Sequence, residues 1–436
     1  MKAARGRGPR SASKAELARL MKELEWRRPI ANAPPAPPTV PSRKLNVVMV
    51  GWEFPPHHTG GLGVHCLELC RELTRMGHRI LFLTPFSGPF TPVDGVTFAW
   101  PGSKRIPPST TKRRFFTYAG PMELAEAGAS FEGAVDSYND WIAGLKELGL
   151  VDVVHVHDWF GTLGAISLSK SLKVPLVMTI HSTEYNRSLD HPWETILERE
   201  RAGLTGADRV IAVSRHLKQE VVQRYGVPAE RVRVIYNAVR PTDRLQPLKS
   251  SGKVVLYLGR LAAMKGVDTF LRAAARVAPL APEALFVIAG EGPEYPNLVR
   301  ISAHLGIAER VLFLGRVTDD ERSVLLASAS VFVLPSVVEP FGIAALEAMV
   351  AGVPTIVSKT SGVAEISEGT FAVDFWDIEE FASRIGELLE YPALSQAMGD
   401  RARWEALRAG WPERAIETVG VYAELLGRLP GAGDRA

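Results

Sequence analysis

From Leu45 onward the chain alternates short, continuous apolar runs with longer amphipathic stretches. Five runs read as buried strands: LNVVMV (45–50), RILFLT (79–84), VDVVHV (151–156), PLVMTI (175–180) and RVIAV (209–213). Helical spacing fills most of the gaps, notably 62–76 and 213–225. A second series follows, with KVVLYL (253–258), ALFVIAG (284–290), RVLFLG (310–315), VFVLP (331–335) and PTIVS (354–358). Strands without apolar–polar alternation are buried on both faces, the condition of a parallel sheet covered by helices. The polar stretch TDRLQPLKSSGK (242–253) separates the two series and reads as a hinge. The pattern therefore predicts two doubly wound α/β domains facing across a cleft, with ligands beyond the carboxyl ends of their strands.

The first 44 residues follow a different pattern. Ser13 and Glu16 form a capping-box pair ahead of Leu17, Leu20, Met21 and Leu24, and the proline-rich ANAPPAPPTVPSR follows. A tethered helix on a stiff spacer is expected. This tail also changes the meaning of the net charge of +3. Residues 1–44 hold eleven Lys/Arg against three Glu, a net +8, and the other 392 residues carry 40 basic and 45 acidic groups, a net −5. A mildly acidic body is not suited to coating nucleic acid, so no nucleic-acid partner is expected. No run of apolar residues is long enough to span a membrane. Cys66 and Cys70 lie four apart in a helical pattern, where side chains diverge too far for an easy bridge. With no leader pattern, this predicts a cytoplasmic protein.

The loops beyond the strand ends carry the candidate chemistry. GWEFPPHHTGGLGVH (51–65) brings Gly60 and Gly61 to a helix start, where bare backbone amides can meet an anion or simply pack. A dinucleotide fingerprint fails here, because ten residues separate Val50 from Gly61 and the second strand ends LTPF without an acid. His155, His157 and Asp158 in HVHDWF suggest metal ligands, but nothing else in the chain completes a set, and no metal is expected. A polar strand end lining a substrate cleft, with Trp159 and Phe160 as stacking surfaces, fits better. His181 ends the next strand. Arg260 and Lys265 in LGRLAAMKG lie in a strand-to-helix turn, where two fixed cations suit a diphosphate. In EPFGIAALEAM (339–349), Glu339 precedes a helix starting near Phe341 or Gly342, and Glu347 lies on its second turn. The amides of Phe341, Gly342 and Ile343 are expected to face the cleft.

The Glu-x7-Glu beginning EPFG, together with GRLxxxKG and the earlier GGL, resembles the retaining glycosyltransferases of the GT-B fold, in the family 4/5 group that includes glycogen and starch synthases. The resemblance runs from about Leu45 to Leu426, and TGGL with HVHDW tilts it toward the glycogen-synthase branch. It implies GT-B architecture, two doubly wound Rossmann-like domains. The boundaries would be a tail (1–44), an acceptor-side domain (45–245), a nucleotide-sugar domain (246–410) and a helix (411–436) crossing back to the first domain. The implied donor is a nucleotide-diphosphate sugar such as ADP- or UDP-glucose, and the implied acceptor an α-glucan. Arg260 and Lys265 match the cations that grip the diphosphate, Glu339 the glutamate on the sugar hydroxyls, and Glu347 the one on the ribose. His181 matches the histidine beside the anomeric carbon, Asp158 a sugar-hydroxyl ligand, and Gly60 and Gly61 a contact from the opposite domain. No cofactor or metal is implied.

Two positions depart from that branch. His58 stands where Lys-Thr-Gly-Gly-Leu is usual, and HSTEY replaces the usual His-Asn, which leaves donor and acceptor open. The alternatives are a lipid-linked sugar, polyol or sugar phosphate as acceptor, a nucleotide-sugar epimerase, or a non-catalytic binding protein.

Overall fold

The computed structural model describes residues 43–57, 60–102, 131–240, 253–408 and 410–427. The expected N-terminal helix, the proline-rich spacer, His58 and the hinge at 242–252 lie outside those residues. Strands β1 (Asn46–Val50), β2 (Arg79–Leu83), β3 (Val96–Ala99), β4 (Val153–His157), β5 (Leu176–Ile180), β6 (Arg209–Ala212) and β7 (Val232–Val234) form one sheet, ordered β3-β2-β1-β4-β5-β6-β7. Strands β8 (Lys253–Leu258), β9 (Ala284–Ala289), β10 (Val311–Gly315), β11 (Val331–Leu334), β12 (Thr355–Ser358) and β13 (Thr370–Val373) form the second, ordered β10-β9-β8-β11-β12-β13. The strand pairs within both sheets are parallel. The architecture is two Rossmann-like domains of the GT-B kind.

The apolar runs become the central strands because covering helices remove both faces from water. Residues of β1, β4, β5 and β6 are almost all buried, as are those of β8, β11 and β12. The strands that the pattern does not reveal, β3, β7 and β13, are three or four residues long, and each ends its sheet. An edge strand that is half wet and this short leaves no continuous apolar run to read.

The helix Trp411–Leu426 returns to the first domain and packs on the helix Gly61–Arg75. Its Tyr422 hydroxyl lies 2.6 Å from His155 Nδ1, whose Nε2 lies 2.7 Å from Thr179 Oγ1. Arg209 and Arg233 hold Glu424 on the same helix at 2.8 and 3.2 Å. Cys66 and Cys70 are buried free thiols, and the Cys70 thiol donates to Met49 Sδ at 3.5 Å. Among the described residues, no helix is long and apolar enough to cross a membrane.

Candidate functional site

Each sheet reverses its strand order once, between β1 and β4 in the first and between β8 and β11 in the second. Connections leave such a point toward opposite faces and open a crevice beyond the strand ends. The loops after these four strands carry Gly60–Gly61, Asp158, Arg260–Lys265 and Glu339. Topology thus gathers residues spread over 280 positions.

In the second domain the two loops are knitted together by backbone. Val337 N–H donates to Met264 O at 2.9 Å, and Gly266 packs so closely on Pro335 that an added Cβ would meet its carbonyl oxygen at 2.1 Å. This places Lys265 Nζ 2.7 Å from Glu339 Oε2, which also accepts from Ser336 Oγ at 3.0 Å. Glu339 is buried and Lys265 half-buried, so the pair sits at the crevice mouth. Arg260 is exposed on the same loop, its carbonyl held by the Tyr257 hydroxyl at 2.9 Å. The helix begins at Ile343, with Gly342 before it in the left-handed region at φ 102°. Ala345 and Leu346 both donate to Gly342 O, so the amides of Ile343 and Ala344 belong to the unpaired first turn.

Glu347 has a different partner, Arg322 at 3.4 Å, and burial raises its carboxyl while Arg322 opposes the rise. The two glutamates therefore sit in separate charge environments. They do not share a proton as an acid/base couple would.

Across the crevice, Gly61 opens its helix against this one, and an added Cβ would lie 2.7 Å from Ile343 Cδ1. Gly60 is exposed, with open space around its Cβ position. Two helix N-termini, one from each domain, thus converge on one volume, and each favours an anion. Asp158 follows β4 in the left-handed region at φ 55°, and its Oδ1 accepts from the His181 amide at 2.7 Å. That bond ties the end of β4 to the end of β5. His181 Nε2 lies 3.2 Å from His157 Nδ1. Burial lowers the pKa of His65 to about 4 and pushes His157 and His181 well down, so the imidazoles in this crevice are neutral near pH 7.

Burial also raises Asp158 from 3.8 to about 7, against the pull of Arg187 and of the His181 amide, with Glu200 and Glu53 adding to the rise. Between those values the folded chain holds a proton that the unfolded chain releases. The resulting stabilisation is complete below 3.8 and lost as the pH rises through about 7. Asp158→Asn is expected to flatten the fall in stability with pH across that window. Urea unfolding at a series of pH values tests this, and an unchanged slope contradicts it.

One expectation needs correction. Trp159 and Phe160 are not cleft-facing stacking surfaces. Both are buried, Phe160 stacking on Trp52 at 5.5 Å and Trp159 lying against Phe131 at 6.0 Å, because the core behind β4 takes up large rings. The Phe341 side chain is buried, near Tyr236 of the first domain at 6.2 Å, so only its backbone is open to a ligand.

Sequence reasoning also missed two residues. His65 lies one helical turn beyond Gly61 and meets His157 and His181, although its spacing reads as plain helix face. Glu365 is the other. It follows β12 in the second domain, yet its carboxylate accepts from the Arg215 and His216 amides at 2.8 and 2.9 Å and from the Tyr236 hydroxyl at 3.0 Å. It caps a first-domain helix, Arg215–Tyr225, from across the domain junction. A carboxylate at a helix N-terminus contributes roughly 1–2 kcal/mol, so Glu365→Ala is expected to lower kcat/KM by about tenfold by weakening closure. Steady-state kinetics check this, and a ratio within twofold of wild type refutes the clasp.

Residues 59–243 match the model of Glycosyltransferase Family 4, and residues 240–404 that of Glycosyl transferases group 1. An uncharacterised glycosyltransferase of Methanocaldococcus jannaschii is 32% identical, covering 88% of this chain and 100% of its own. The glycogen synthase of Mycobacterium tuberculosis is 30% identical, covering 87% of this chain and 94% of its own. Among solved structures, sucrose-phosphate synthase from Thermosynechococcus elongatus superposes with a TM-score of 0.70 at 22% identity, over 88% of this chain and 100% of its own.

Proposed function

This chain belongs to the GT-B glycosyltransferases, and on that premise we propose that it is a retaining hexosyltransferase extending an α-glucan from ADP- or UDP-glucose. The observation that carries this reading is the Lys265–Glu339 pair, 2.7 Å apart, lying opposite the Gly61 helix start. A bound donor would draw Lys265 toward its diphosphate and free Glu339 for the sugar hydroxyls. Arg260, Lys265 and the amides at the start of the 343–351 helix then stabilise the charge that builds as the diphosphate departs. Glu347 holds the ribose hydroxyls, and Asp158 and the neutral His181 hold the sugar from the first domain.

The C1–O bond to the diphosphate breaks as the acceptor oxygen bonds to C1 on the same face, and its proton passes to the leaving phosphate. The separate environments of Glu339 and Glu347 support this course over a covalent one, which needs two close carboxylates. The cations of the protein supply the positive charge, so transfer requires no metal. Buried free Cys66 and Cys70 support a reducing, cytoplasmic setting.

A panel of donors and acceptors tests the proposal. Nucleotide release with ADP- or UDP-glucose and glycogen, giving an α-linked product, is expected. Release only with a polyol, sugar phosphate or lipid-linked sugar overturns the α-glucan acceptor. No release with any pair, from folded protein, overturns the transfer reading.

A further inference from the structure

We propose that His65, His157 and His181 form a binding site for a divalent d-block cation of the Zn2+ type, which withdraws His181 from the sugar and holds the enzyme inactive. Each residue offers one ring nitrogen, and the three nitrogens lie within 4.8 Å of one another. They come from three elements, the second turn of the 61–75 helix and the ends of β4 and β5. The ring centroids stand 4.5, 5.4 and 5.5 Å apart.

Two features separate this cluster from histidines that merely pack. First, Nε2 of His65 and Nε2 of His157 are both buried without a hydrogen-bond partner, while His157 Nδ1 and His181 Nε2 lie 3.2 Å apart and share a proton that a bound cation would displace. A buried polar atom left unpaired costs about 1–3 kcal/mol, and folded proteins rarely carry two in one cluster. Second, His65 Nδ1 lies 2.7 Å from Asn237 Oδ1, which can only accept. The proton therefore sits on Nδ1, and Nε2 is left with its lone pair free. Outer hydrogen bonds of this kind fix the tautomer and orientation of metal-binding imidazoles.

The remaining neighbours are otherwise engaged. His155 uses both nitrogens on Tyr422 and Thr179, and Asp158 Oδ1 holds the His181 amide. Three neutral nitrogens with no thiolate or carboxylate favour zinc, copper, nickel or cobalt over magnesium, calcium or manganese. Ligand nitrogens around tetrahedral zinc stand about 3.4 Å apart, so modest ring rotations would close the set, leaving a fourth position for water. His65 and His157 are buried and His181 is half-buried, which puts the opening on the crevice side.

The inhibitory half of the proposal rests on the role of His181 in transfer, whereas the binding half does not. The metal-free, untagged full chain should therefore first be titrated with Co2+ in the absence of substrate. One equivalent with the intense visible bands of a four-coordinate ion, displaced by Zn2+ and untouched by Mg2+, is expected. His65→Gln should weaken binding at least a hundredfold, and Asn237→Ala roughly 10–100-fold by freeing His65 to rotate. Equal affinity in the wild type and both variants, with melting curves showing all three folded, overturns the site. In the transfer assay, Zn2+ should inhibit the wild type reversibly by chelator and spare His65→Gln. Stoichiometric Zn2+ binding without inhibition overturns the inhibitory role. Failure of transfer without metal counts against the proposed function and leaves the spectroscopic result standing.

Discussion

Lys265→Ala is expected to lower kcat/KM about a thousandfold while the chain stays folded. Removing one preorganised donor to developing negative charge costs roughly 10^2–10^3 in rate in a water-poor site. Lys265 is placed for that role twice over. Its backbone lies in the turn after β8, locked to the β11 loop through Met264 and Gly266, and its ammonium contacts the carboxylate proposed to hold the donor sugar. The loss should appear in kcat as well as KM, because the charge grows as the diphosphate leaves. Lys265→Arg should recover part of it, since a planar fork keeps the charge but not the point geometry. Steady-state kinetics alongside circular dichroism decide the matter. Activity within tenfold of wild type, from a folded variant, would end the diphosphate assignment.

Gly266→Ala should be a strongly destabilising single-methyl change. Gly266 has φ +62°, where a side chain costs roughly 1–2 kcal/mol. The new Cβ would also stand 2.1 Å from the carbonyl oxygen of Pro335 and 3.0 Å from its carbon, both backbone atoms of the adjoining loop. Neither can yield without moving Lys265 or Glu339. A cost of about 3 kcal/mol or more is expected, lowering Tm by roughly 6–12 °C at this domain size. Activity should fall with it, because the same shift parts the ion pair. Thermal melting of the variant against wild type is the check, and a Tm within about 2 °C of wild type would show that the loops slide freely past each other.

How far the site was legible can be argued residue by residue. Lys265 and Glu339 stand out because each sits in a short motif at a strand end or helix start, and the roles proposed for them come from the resemblance those motifs carry together. Asp158 and His181 stand out as strand-end residues, and the roles proposed for them rest on the same resemblance. His65 does not stand out, since a histidine on an amphipathic helix carries no local mark, and its partners are 92 and 116 positions away. Glu365 was missed likewise, because its cap belongs to a helix 149 and 150 residues earlier. Trp159 and Phe160 misled because an aromatic pair beside a cleft motif looks the same whether it turns inward or outward.

The chain by itself determined what short-range physics can write. Apolar runs of strand length, with helical spacing between them, dictate two parallel sheets, and glycines mark the turns where backbones approach. Tertiary structure decided what depends on which strands become neighbours. Strand order brought the loops after β1, β4, β8 and β11 to two facing crevices, set Lys265 on Glu339, joined three histidines from three elements and put a second-domain carboxylate on a first-domain helix. Those contacts join groups far apart in the chain, and only the packing of both sheets brings them within hydrogen-bond range.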